Sequence, residues 1–154
     1  MYEYAEAAVE GALAAGATYA DARVVVSKRE GIDVQNQAVQ SLDRTEQAGV
    51  GVRALIGSSW GFFATADLNR RAATASGERA AEIARASAVV PGDPMQFADV
   101  PVVEANYETP YDEDPFAVPM SEKVDLLVGV TKTMQEVEGI AIATGTLAFY
   151  ATNK

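Results

Sequence analysis

An α+β two-layer sandwich, with a mainly antiparallel sheet of four or five strands packed against helices, is the fold this sequence predicts. Three observations carry that expectation. Tyr4, Ala5, Ala8, Val9, Ala12 and Leu13 share one face at helical spacing. Val50, Val52, Ala54 and Ile56 alternate with Gly49, Gly51, Arg53 and Leu55, the period-two pattern of a strand with one apolar face. Gly57-Ser58 then fits a tight hairpin turn into an aromatic strand, Ser59 to Thr65, which holds the only Trp of the chain and two of its five Phe.

The remaining elements follow in order. The first helix is expected over Glu3 to Ala15, with Gly16 as a left-handed terminator. Tyr19 to Lys28 is rich in β-branched residues and reads as a strand, and Glu30-Gly31 as a turn into a less regular strand, Ile32 to about Leu42. Gln35, Asn36 and Gln37 make that second strand the most exposed. Asp67 caps a helix from Leu68 to about Ala88, with Leu68, Ala72, Ala80, Ile83, Ala84 and Ala88 available to a buried face. Gly77 inside it costs about 1 kcal/mol relative to Ala, which predicts a bend or a late start. Ser121 caps a third helix whose inner stripe is Val124, Leu127, Val128, Thr131 and Met134, and Gly139 ends it. A last strand runs from Ile140 to Ala151.

At 154 residues the chain reads as a single domain, residues 1–154. All six prolines and seven acidic residues fall between Pro91 and Pro119, with no Lys or Arg, so this stretch is an extended Pro-rich acidic connection. Val100, Val102, Val103, Tyr107, Tyr111 and Phe116 are expected to dock it on the surface. There is no Cys and no His, which removes disulfides, thiolate metal sites and any Ser-His pair. A formal charge of −10 argues against nucleic acid as a direct partner, because duplex binding rests on neutralising phosphates. The first ten residues, MYEYAEAAVE, are acidic where a signal peptide is basic, and no apolar run approaches membrane-spanning length. A cytoplasmic, soluble chain without a membrane partner is expected.

Four blocks in sequence order resemble the N-terminal domain of the TldD/PmbA metallopeptidase family, also called modulators of DNA gyrase. ALAAGATYADARVVV is similar to that family's first helix, glycine terminator and first strand, and GVGVRALIGSSWGFFATAD to its G-x-G-V-R strand and aromatic-Gly hairpin strand. AAEIARASA resembles the end of the following helix. YETPYDEDPFAVPMSEKVDLL resembles the linker and DPF segment that introduce the next one. The resemblance implies a longer parent protein, with the present chain cut after its last strand. It also implies zinc, held in the missing C-terminal domain by a helical His-Glu-x-x-x-His motif and a Cys. No cofactor is expected in this chain, and the charge gives the gyrase name no physical support.

Chemistry in the chain itself is sparse. Asp112, Glu113 and Asp114 form the densest acid cluster, yet consecutive loop carboxylates diverge and lack a softer donor, so a solvated charge run is expected rather than a metal site. Gly49 to Gly51 lies inside a strand, where it is no phosphate cradle. Two residues are candidate contacts for a peptide or a partner. Arg53 faces away from Val50, Val52 and Ala54, where it can bind a carboxylate bidentately or pair with Asp33, Asp43 or Glu46. Trp60 can line an interface or anchor helix-on-sheet packing. No catalytic residue and no metal ligand is expected. The resemblance implies a non-catalytic N-terminal domain that supports the catalytic domain, peptide access and dimer assembly. Its implied partners are that domain, a second copy or a paralogue, and a peptide or unfolded protein. The alternative is a free-standing interaction or ligand-binding module without enzymatic activity.

Overall fold

The computed structural model describes residues 1–89, 92–93 and 95–154, and its elements run α1 (Tyr2–Ala14), β1 (Tyr19–Gln35), β2 (Ala38–Ile56), β3 (Ser59–Thr65), α2 (Arg70–Ser87), α3 (Met120–Gln135) and β4 (Thr144–Asn153). The four strands form one antiparallel sheet in the order β3-β2-β1-β4, and with the helices they make the α+β sandwich expected from the sequence. Two compact units share these elements. The first comprises residues 1–26, 47–103 and 153–154, and the second residues 27–46 and 104–152.

In place of the expected turn at Glu30-Gly31, β1 runs through both residues. The reversal comes at Asn36-Gln37, whose φ values of 49° and 65° lie in the left-handed region that a two-residue type I′ hairpin demands. Glu30 is buried, in alternation with Ile32 and Val34, so it sits on a strand face instead of a loop tip. Residues 43–48 likewise continue β2, and one 19-residue strand replaces two shorter ones. The turn at Gly57-Ser58 is as expected, with Gly57 at φ 62° and Ile56 opposite Ser59.

In the first unit, α1 packs on α2 and α2 on β3 over a core of Ala7, Ala8, Ala12, Val24, Val50, Val52, Ala54, Ala73, Ala80 and Ala81. So many alanines leave room for backbones to approach. A Cβ on Gly77 would lie 1.9 Å from the Ala8 carbonyl oxygen, and one on Gly11 would lie 2.3 Å from that of Thr74. Gly77 is therefore the crossing point of two helices rather than a bend. The cap of α2 is Asn69, whose side chain accepts from the Ala72 N–H at 2.9 Å, and not Asp67, which lies three residues before the first helical position. Gly16 terminates α1 at φ 94°, as expected.

In the second unit, Ile32 and Val34 of β1 and Leu127 of α3 form the apolar centre, with Val124, Val128 and Leu147 against it. Asn36 and Asp33 of β1 bond Ala143 and Thr146 respectively, so β4 runs antiparallel to β1. Pro119, not Ser121, is the N-cap of α3; its carbonyl accepts from Glu122 at 3.1 Å, which leaves Ser121 inside the first turn. Met134, expected on the inner stripe, is exposed, and β4 begins four residues after Ile140.

Of the connection, Pro91 and Pro94 lie outside the described residues. Phe116 docks against Phe149 with ring centroids 6.4 Å apart. The other five expected anchors, Val100, Val102, Val103, Tyr107 and Tyr111, are exposed, and the other residue of the connection that seats is Phe97, against Tyr19 of the first unit. No helix among the described residues is long and apolar enough to cross a membrane.

Candidate functional site

The hairpin register decides where Arg53 and Trp60 point. Arg53 stands opposite Phe62 and Leu55 opposite Trp60, so these four share one face of the sheet, while Val52, Ala54 and Gly61 share the face that α1 and α2 cover. Gly61 makes the close helix contact, since a Cβ there would lie 2.0 Å from the Ala80 carbonyl oxygen. The close helix-on-sheet contact is thus Gly61, and of the two readings of Trp60 the helix-on-sheet one does not match its place, one residue away in the strand alternation and so on the opposite face.

On its own face, half-buried Trp60 joins a small aromatic cluster. Its ring stands edge-on to Tyr19 at 5.8 Å and to Phe97 at 6.1 Å, and Tyr19 and Phe97 lie 4.5 Å apart. The Arg53 guanidinium carbon lies 5.3 Å from the Trp60 ring centroid, within cation–π range. Arg53 is also held at both ends of the Asp21 carboxylate: Nε donates to both oxygens at 3.1 Å and a terminal nitrogen donates at 2.7 Å. These bonds and the charge of Asp21 raise the guanidinium above its ordinary value. The expected ion pair exists, with a different partner. Asp43 and Glu46 lie on Arg53's own strand and Asp33 near the Asn36-Gln37 turn, so the residue across from Arg53 comes from the start of β1.

The second unit holds a charged group that sequence reasoning missed. Lys123 donates to the buried Glu30 carboxylate, Arg44 stands 3.7 Å from it, and the Lys123 ammonium lies 5.0 Å from the Phe149 ring centroid. Both Glu30 and Lys123 are almost fully buried. A signal was present in the pattern: Glu30 alternates with Ile32 and Val34, and Lys123 precedes Leu127 and Thr131 by one and two helical spacings. This pair ties α3 to β1 and offers no reactive group to a substrate.

Asp112, Glu113 and Asp114 are exposed, and among the described residues no group of three or more His, Cys, Asp or Glu is placed to hold a metal ion. Zinc calls for imidazole or thiolate donors that the sequence does not contain, so the residues present do not fit that metal. What the described site can do is stack, pair a charge and bind.

Residues 20–88, from β1 to the end of α2, match the family model described as PmbA/TldA metallopeptidase domain 1. No curated protein sequence matches the chain. Among solved structures, it is similar to a candidate modulator of DNA gyrase from Bacteroides thetaiotaomicron, with a TM-score of 0.74, 15% identity, and coverage of 98% of this chain and 36% of that one. It is similar to a second such candidate from Thermotoga maritima, at TM-score 0.69 and 15% identity, over 98% of this chain and 33% of that one. TldE from Thermococcus kodakarensis aligns at TM-score 0.64 and 13% identity, over 97% and 34%. These TM-scores establish a shared fold, and the chain spans about a third of the length of each of these proteins. Over its first three strands and second helix, residues 20–88, the chain is therefore similar to the first domain of the PmbA/TldD family, and it shares the fold of these solved structures.

Proposed function

We propose that this chain serves as the non-catalytic N-terminal domain of a cytoplasmic zinc-dependent peptidase. It supports the catalytic domain, shapes the access of a peptide or unfolded protein, and contributes to assembly with a second copy or a paralogue. The observation that carries this reading is the match to a metallopeptidase first domain in a chain without a single His or Cys. A peptidase of this class needs imidazole or thiolate around zinc, so the metal chemistry belongs to another part of the protein. The outer-face aromatic cluster with Arg53 supports a role in contact with a peptide or with a neighbouring domain, because aromatics and arginine dominate such contacts.

Isothermal titration of the chain with zinc, paired with a cleavage assay on unfolded peptides, tests the division of labour. No zinc site of submicromolar affinity and no turnover are expected. Tight single-site binding, or turnover abolished by a chelator, would overturn it. The reading frame beyond Lys154 tests the assignment independently. A downstream His-Glu-x-x-x-His is expected, whereas a stop codon there would make the chain a free-standing interaction module.

A further inference from the structure

We propose that Tyr19 and Trp60, with Arg53 beside them, form a seat for an aromatic side chain, filled in cis by Phe97 and open in trans to an extended peptide carrying an aromatic residue. The inference rests on the reading that this domain shapes peptide access, and it names the side chain admitted and the segment that excludes it.

The seat and its occupant are held very differently. Tyr19 begins β1 and Trp60 lies within β3, so the strands fix both rings, edge-on at 84°. Arg53 is clamped by three hydrogen bonds to Asp21 beside the Trp60 ring. Such a seat is organised before anything enters it, which lowers the ordering cost of binding. Phe97, by contrast, comes from a stretch outside any helix or strand, and 52% of it remains exposed. Val100, Val102 and Val103, which follow it, are 71%, 96% and 73% exposed, so they add little to its hold. A single ring on an extended tether, laid over a rigid aromatic pair, is an exchangeable contact. Tethering sets its effective concentration near the millimolar range, so an incoming peptide of similar affinity competes at a disadvantage until the strap lifts. The segment also shows what the seat accepts, an extended chain with Phe flanked by acids such as Asp99 and Asp93.

Trp60 is the only tryptophan, so intrinsic fluorescence reads the seat directly. The probe is a synthetic peptide of residues 95–103, MQFADVPVV, titrated into the wild-type chain, Phe97→Ala and Phe97→Tyr. Phe97→Ala is expected to shift Trp60 emission to the red. The peptide should reverse that shift saturably, with an apparent affinity at least tenfold tighter than for the wild type. Phe97→Tyr keeps a ring in the seat and should behave as the wild type. The same peptide with Ala at the Phe position should produce no saturable change. The proposal is overturned if Phe97→Ala leaves emission unchanged, if Phe97→Tyr opens the seat as Ala does, or if the Ala peptide binds equally well. Because the readout involves neither zinc nor cleavage, its failure would leave the assignment as a peptidase domain standing.

Discussion

Replacing Gly77 by Ala should destabilise the first unit although it improves the helix, and Gly129→Ala should do the opposite in the second. In an unobstructed helix interior either change gains about 1 kcal/mol, because Gly surrenders more backbone entropy than Ala. Gly129 of α3 is such a position, since an added Cβ meets nothing within 4 Å. At Gly77 the same methyl would sit 1.9 Å from the Ala8 carbonyl oxygen and 2.6 Å from the Ala12 nitrogen, both backbone atoms of α1 that no rotamer change can move. Contacts below 3.0 Å are essentially unknown for real Cβ atoms, so α1 and α2 must separate by about 1 Å along the line where Ala8, Ala12, Ala73, Ala80 and Ala81 pack. Overpacking of this kind costs about 1–3 kcal/mol before the loosened alanine contacts are counted, and the propensity gain offsets about 1 of it. A net loss of about 2 kcal/mol is expected for Gly77→Ala, against a gain of up to about 1 for Gly129→Ala. Urea unfolding followed by circular dichroism measures both, and opposite shifts of the midpoint are the expected outcome. A Gly77→Ala chain as stable as the wild type would show that the helices do not cross this closely and would refute the reasoning.

Lys123→Met leaves the Glu30 carboxylate buried, with Arg44 at 3.7 Å as its remaining cation, and should cost about 3 kcal/mol in urea unfolding. Glu30→Leu combined with Lys123→Met should recover most of that loss; a double variant as unstable as the single one would contradict the pairing. Asp33 is held below the usual carboxylate range by hydrogen bonds from Ser41 and Thr146. A depressed folded-state value contributes stability that is present above the unfolded value of 3.8 and lost as pH falls through the folded one. Asp33→Asn should therefore lower the urea midpoint at pH 7, with the gap to wild type narrowing as pH falls below 3.8; a gap that does not narrow in acid would rule this linkage out. Trp60→Ala should cost about 1–2 kcal/mol, below the roughly 3–5 for a fully buried aromatic, because the ring is half-buried on the outer face. A loss above about 4 kcal/mol would return Trp60 to the core.

The sequence by itself determined the elements whose signals are local. Helical spacing marked α1, Gly16 and Gly57 marked a terminus and a turn by the φ that glycine tolerates, and alternation marked the strand that carries Val50, Val52 and Ala54. It also determined, through the want of His and Cys, that this chain offers no imidazole or thiolate donor to zinc. Asn36, a residue that tolerates positive φ, was the legible sign of the true hairpin, yet Glu30-Gly31 resembles a turn just as well when judged locally. Only the tertiary structure separated them, because burial against Lys123 of a distant helix is what keeps Glu30 in a strand. The same holds for Gly77, where helix propensity reads a defect and the crossing with α1 makes it a requirement. Arg53 and Trp60 were legible as conspicuous side chains, but their partners were not. Asp21 and Phe97 reach them through strand register and a long connection, and contacts set by register and chain return leave no mark in the local pattern of residues.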